Sequence, residues 1–102
     1  MVSSGLGTLH ATAATAQAVR REGLDLDHLV VGDWPSSEPD LAQRCNLEDL
    51  PDYAQAPISG VMRAGMGRAE PSVFAELARR GLAPALGGSC DAAEFARLAS
   101  RP

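Results

Sequence analysis

A glycine turn, Ser4-Gly5-Leu6-Gly7-Thr8-Leu9-His10, opens directly into an alanine-rich helix. Backbone N–H groups converge at such a turn and the helix dipole adds positive potential, so the chemistry on offer is the capture of an anion. Two other loops offer sites of a different kind. Gly32-Asp33-Trp34-Pro35 follows the apolar run Leu29-Val30-Val31, and Arg63-Ala64-Gly65-Met66-Gly67-Arg68 follows Ile58-Ser59-Gly60-Val61-Met62. Each loop lies at the carboxyl end of an expected strand, where open α/β sheets bind their ligands.

The other reactive side chains make no catalytic pattern. His10 and His28 lack the spacing of a metal site or a triad and read as solvated or hydrogen-bonded structural histidines. Asp25 and Asp27 flank Leu26 and solvate a loop, and Glu48-Asp49 reads as wet surface. Cys45 and Cys90 are isolated, without zinc spacing, as suits reduced thiols used for packing. All 9 cationic side chains are arginine. A P-loop site sets a lysine ammonium on the β- and γ-phosphates, and these residues cannot supply it. A net charge of −4 with no densely basic window excludes the electrostatics of nucleic-acid binding. No apolar run approaches the roughly 20 residues that cross a bilayer, and the N-terminus lacks the regions of a signal peptide. The expectation is a cytoplasmic protein that binds neither membrane nor nucleic acid.

Positioning these loops requires alternating helices and strands. Thr8 is expected to cap a helix running to about Glu22, with Leu9, Ala13, Ala16 and Val19 on its apolar face and Gly23 past its end. Ser36-Ser37-Glu38-Pro39 starts a second helix through about Cys45, after which Asn46-Leu47-Glu48-Asp49-Leu50-Pro51 reads as a short turn closed by proline. Pro71 begins a third helix to about Arg80, with Val73, Phe74, Leu77 and Ala78 as its core stripe and Gly81 beyond. Asp91-Ala92-Ala93-Glu94 resembles a capping box for a last helix that carries Phe95 and Leu98 and ends near Ser100. The short apolar runs between helices predict a parallel sheet. A glycine turn of this kind normally follows a strand, yet only Met1-Val2-Ser3 stand before it. The expectation is therefore the later part of a larger α/β protein, beginning partway through a strand. With central strands elsewhere, residues 29–31 and 58–62 are expected to expose apolar faces and unpaired backbone.

Four segments in order and register, Gly5-Leu6-Gly7-Thr8-Leu9-His10-Ala11-Thr12, Leu29-Val30-Val31-Gly32-Asp33-Trp34-Pro35, Cys45-Asn46-Leu47-Glu48-Asp49-Leu50-Pro51 and Gly60-Val61-Met62, resemble the C-terminal half of dethiobiotin synthetase. The likeness runs across about residues 2 to 88 and looks actinobacterial. It implies an α/β fold, a partial P-loop NTPase-like parallel sheet flanked by helices, lacking the N-terminal phosphate-loop half, with residues 1–102 as one C-terminal portion. It also implies an ATP- and magnesium-dependent ligase of biotin biosynthesis, which closes a cyclic urea from 7,8-diaminononanoate and carbon dioxide and works as a homodimer.

The site residues follow from that likeness. Gly7, Thr8, Leu9 and His10 match a turn at the dimer interface that offers its helix N-terminus to the carboxylate tail of substrate bound by the partner subunit; His10 stands where the family usually has asparagine. Gly32 and Asp33 match the loop that reads the nucleotide base, with Gly32 in place of an asparagine that commonly bonds adenine. Arg63, Ala64 and Gly65 match a second base-bordering loop, Arg63 replacing the usual proline, and Glu70 falls near a nucleotide contact. The phosphate loop, both family lysines and the acidic magnesium ligands match nothing here, so no catalytic or metal residue is expected and the chain alone is expected to be inactive. Its partner is then a second copy or the missing N-terminal half. Two other readings stand beside this one. The helix from Thr8 to Glu22 suits a non-catalytic dimerisation module, and a related P-loop ATPase would share the sheet without the 46–51 segment.

Overall fold

The computed structural model describes residues 1–100. In chain order it contains α1 (Thr8–Arg21), β1 (Leu29–Trp34), α2 (Leu41–Ala54), β2 (Ile58–Arg63), a 3-10 turn (Met66–Arg68), α3 (Pro71–Gly81), a second 3-10 turn (Pro84–Leu86) and α4 (Ala92–Ala99). β1 and β2 pair in parallel, with Val30 opposite Gly60, Val31 opposite Val61 and Trp34 opposite Arg63. The expected stub at Val2 adds a parallel bridge to Val31 on the outer side of β1, and Leu82 bridges Gly60 in antiparallel sense. The architecture is the α/β class that alternating helices and strands predict, a parallel pair flanked by helices.

β1 runs further than its apolar residues indicate. Gly32 and Asp33 lie inside the strand, because β1 has a neighbour on each side there. The Gly32 N–H donates to the Val2 carbonyl at 2.8 Å, and the Ala64 N–H donates to the Trp34 carbonyl at 2.8 Å.

α1 and α2 also depart from expectation. Gly7, in the left-handed region at φ 90°, caps α1, and Thr8 is the first helical residue. The Thr8 hydroxyl turns inward to within 3.5 Å of the Thr12 hydroxyl instead of capping. The buried line is Thr8, Thr12 and Ala16, with Leu9, Ala13 and Val19 half-buried beside it. At the other end Gly23 does take a left-handed conformation, φ 78°. Its N–H reaches the Arg20 carbonyl and that of Leu24 reaches Val19, a Schellman closure.

α2 begins only at Leu41, where Asp40 and Gln43 cap each other reciprocally. It then continues through the segment expected to be a turn. Pro51 forfeits one bond to the Leu47 carbonyl and strains the helix by about 3 kcal/mol. Leu47 and Leu50, which helical geometry buries, contribute about 1.5–3 kcal/mol each, enough to outweigh it.

The core joins Leu29, Val31 and Trp34 of β1 to Leu47, Leu50 and Ala54 of α2 and to Ile58 and Val61 of β2. The strands are therefore not bare. α2 and α4 cover one side, and the segment after α3 folds back so that the Ala83 N–H donates to the Ser59 carbonyl at 2.8 Å. α3 is the element left outside. Its expected core stripe is not a core, since Val73 and Phe74 are 48% and 38% exposed and none of its residues is buried. It meets the sheet at its C-terminal end, where a Cβ on Gly81 would lie 2.6 Å from the Val61 carbonyl oxygen.

Candidate functional site at the carboxyl edge of the sheet

Because Val2, β1 and β2 all run the same way, the turns that follow them collect along one edge. The glycine turn is clamped from two sides. From β1, Asp33 accepts the Ser4 N–H at 2.7 Å and the Ser3 hydroxyl at 3.0 Å. From α2, the buried Asn46 amide donates to the Ser4 carbonyl at 3.0 Å and to the Gly5 carbonyl at 2.8 Å. Gln43 reaches the Ser4 hydroxyl at 3.4 Å, and the Thr8 N–H returns to Gly5 at 3.3 Å. Satisfying both faces of the turn in this way fixes where α1 begins. The N–H groups of the first helical turn, those of Leu9 and His10 among them, then point along the helix axis without intrahelical partners. The His10 side chain is exposed beside them, Leu9 is half-buried, and the Thr8 hydroxyl is turned away. The groups available at this helix start are thus the backbone N–H groups of Leu9 and His10 together with the exposed His10 ring.

The two base-loop candidates come together. Besides the Ala64 to Trp34 bond, the Arg63 guanidinium donates to the Pro35 carbonyl at 3.2 Å. Its central carbon sits 5.7 Å over the Phe95 ring, and Phe95 meets Trp34 edge to face at 5.8 Å. A helix near the end of the chain thereby braces both strand ends, through a cation–π contact and an aromatic pair. Ala64 and Gly65 are exposed at this edge, with Gly65 left-handed at φ 85°. Gly32 is set back in the strand, where an added Cβ would run into the Met1 sulfur. Glu70 caps the backbone of α3 with its carbonyl, while its exposed carboxylate makes no cap bond.

Asp33 therefore belongs to both sites that the sequence keeps separate. It lies at the strand end next to the base loops and spends its carboxylate on the glycine turn. The sequence places Asn46 in a short segment closed by proline and Phe95 on a last helix, and neither position signals these long-range roles. Away from this edge, His28 Nδ1 lies 2.7 Å from the Ser59 hydroxyl, as a structural histidine should. Among the described residues no group of three His, Cys, Asp or Glu side chains is placed to hold a metal ion.

A parallel pair of strands flanked by helices, with the candidate turns gathered at its carboxyl edge, defines an α/β protein. The chain is 56% identical over 84 residues to an ATP-dependent dethiobiotin synthetase of Saccharopolyspora erythraea, covering 82% of this chain and 37% of that protein. It is 50% identical over 95 residues to the Streptomyces coelicolor synthetase, covering 93% of this chain and 40% of the relative. With the Parafrankia synthetase it shares 48% over 97 residues, 95% of this chain and 40% of the relative. The chain belongs to the dethiobiotin synthetase family, and it spans about two fifths of the length of these relatives. No protein-family model matches it, and no solved structure gives a significant match.

Proposed function

We propose that these 102 residues form the C-terminal portion of an ATP-dependent dethiobiotin synthetase, which joins 7,8-diaminononanoate and carbon dioxide into a cyclic urea. The observation that carries this reading is the clamped glycine turn, since Asp33 and Asn46, which hold it, come from two of the segments that resemble the family. In this reading the backbone at the start of α1 binds the carboxylate tail of substrate held by a second copy, as a helix N-terminus binds any anion. His10 adds a donor there. The edge formed by residues 33–35 and 63–65, with Glu70 nearby, borders the nucleobase. Gly32 brings no side chain to that task, so backbone groups do the reading.

When bound, ATP supplies the phosphoryl group that drives ring closure. The lysines and magnesium ligands of that step come from residues outside these 102, which contain no lysine. A homodimer fits the exposed small side chains Ala11, Ala14 and Ala18 on the outer face of α1, which permit close helix approach. No described helix is long and apolar enough to cross a membrane, and a cytoplasmic enzyme is the setting this reading implies.

The test is dethiobiotin formation, followed by mass spectrometry, with chain purified from a host that lacks its own synthetase. The chain alone should give no product. Adding the remaining three fifths of the Streptomyces coelicolor synthetase should give product. Turnover by the chain alone, or none from the pair, overturns the reading.

A further inference from the structure

We propose that Arg63 is a specificity-determining residue of the base edge, whose guanidinium selects nucleoside triphosphates that present a carbonyl oxygen there over those that present an amino group. This role rests on the family reading above, in which residues 33–35 and 63–65 border the nucleobase, and it adds a side-chain reader to the backbone groups of that edge.

Backbone acceptors along this edge are already engaged. The Asp33 carbonyl accepts the Ser4 hydroxyl at 3.4 Å, the Trp34 carbonyl accepts the Ala64 N–H at 2.8 Å, and the Pro35 carbonyl accepts the Arg63 guanidinium at 3.2 Å. In the facing loop the Gly65 carbonyl accepts the Arg68 N–H at 3.1 Å. Asp33 spends its carboxylate on Ser3 and Ser4. The exocyclic amino group of adenine is a donor and needs an acceptor, which any of these carbonyls could supply only by sharing.

Donors, by contrast, are in surplus. A guanidinium carries its N–H groups in a rigid fork. The bond to Pro35 engages one terminal nitrogen of Arg63, and among the described residues the side chain is exposed and makes no ion pair. Its place is set before any ligand arrives, because its central carbon lies 5.7 Å over the Phe95 ring and that ring meets Trp34, a core residue, edge to face at 5.8 Å. A fork held in advance loses less side-chain entropy on bonding a ligand. An arginine fork matches the paired O6 and N7 acceptors of a 6-oxopurine, whereas adenine sets an amino donor at position 6. Donor would then face donor. Of the side chains assigned to this edge, Glu70 keeps an exposed carboxylate, but it stands past the 3-10 turn at the start of α3.

Inosine triphosphate (ITP) and ATP separate the two cases, because they share sugar and triphosphate and differ in the purine edge around position 6. The protein is this chain co-purified with the remaining three fifths of the Streptomyces coelicolor synthetase, titrated calorimetrically with each nucleotide in the absence of diaminononanoate. ITP should bind at least about tenfold tighter than ATP, since it gains a charge-assisted bond where ATP sets an unmatched amino group. Arg63→Ala should bring the two within about threefold, weakening ITP and releasing the Pro35 carbonyl to accept the amino group of ATP. Arg63→Lys keeps the charge without the fork and should fall between. Phe95→Leu, with Arg63 intact, should also lower the preference, because the fork is no longer held. A ratio of two affinities in one preparation does not depend on how much of that preparation is folded.

ITP bound no tighter than ATP, or a preference that Arg63→Ala leaves in place, overturns the proposal. Binding of neither nucleotide overturns it together with the family reading of the base edge. Otherwise the two fail apart. A preference for ITP that depends on Arg63, in a pair that makes no dethiobiotin, sinks the proposed activity alone, and dethiobiotin made by a pair that binds ATP more tightly than ITP sinks the role of Arg63 alone.

Discussion

Asn46 is the side chain whose loss should tell most about how the glycine turn is held. It is 7% exposed, and its amide nitrogen serves two carbonyls, that of Ser4, itself 2% exposed, and that of Gly5. In Asn46→Ala the Gly5 carbonyl keeps the Thr8 N–H at 3.3 Å, but the Ser4 carbonyl loses its donor in a place closed to water. An orphaned buried acceptor costs about 1–3 kcal/mol and a lost bond about 1 kcal/mol more, so Ala should destabilise by about 2–4 kcal/mol. With a urea dependence of about 1–2 kcal/mol per molar for a chain of this size, the midpoint should fall by about 1–4 M. Asn46→Asp keeps the shape and should be worse at pH 7, because a carboxylate replaces the donor and faces two carbonyl oxygens. The folded chain then favours the protonated acid, so its affinity for a proton exceeds that of the unfolded chain. Stability relative to wild type should therefore return as pH falls toward 5 and decline as pH rises. Urea unfolding of the three proteins at pH 7 and pH 5 measures this. An Asp variant within about 0.5 kcal/mol of wild type at pH 7 would refute the assignment of those two hydrogen bonds.

The reconstituted enzyme, with Gly32 offering no side chain to the base, should accept CTP or GTP in appreciable competition with ATP; selectivity of about a thousandfold or more, measured by inhibition, would show a side-chain reader elsewhere. Gly81→Ala should cost about 1–3 kcal/mol in the same urea assay, because its methyl would lie 2.6 Å from the Val61 carbonyl; an unchanged midpoint would mean that α3 is free to shift. Burial, helped by the neighbouring Asp91, pushes the Cys90 thiol up, so iodoacetamide near pH 8 should label the exposed Cys45 first; equal rates, read by mass spectrometry, would contradict the packing of Cys90. With Val2 the outermost paired residue on that side of its two-stranded sheet among the described residues, the isolated chain should unfold broadly or associate; a sharp, concentration-independent transition of a monomer above about 60 °C would show a self-sufficient domain.

How far the sequence could be read depends on whether a feature is local. The helix punctuation at Gly23, the proline start of α3 at Pro71 and the Asp91 cap are local backbone chemistry and appear where residue type places them. The parallel pairing follows from short apolar runs separated by helices. What misled was contact at a distance. Thr8 looks like a cap, but Thr12 and the packing around it draw its hydroxyl inward, leaving the capping position to Gly7. Pro51 looks like a stop, but burial of Leu47 and Leu50 carries the helix through it. Val73 and Phe74 look like core, but neither is buried among the described residues. The candidate site has the same division. Its loops are legible as glycine-rich strand ends, whereas the groups that hold them, Asp33 across 29 residues from Ser4 and Asn46 across 42, depend on the tertiary fold. Local rules can therefore locate the candidate edge and not its supports. The supports explain why that edge persists in a chain spanning two fifths of its relatives: each clamp on the glycine turn comes from β1 or α2, and both elements are present here.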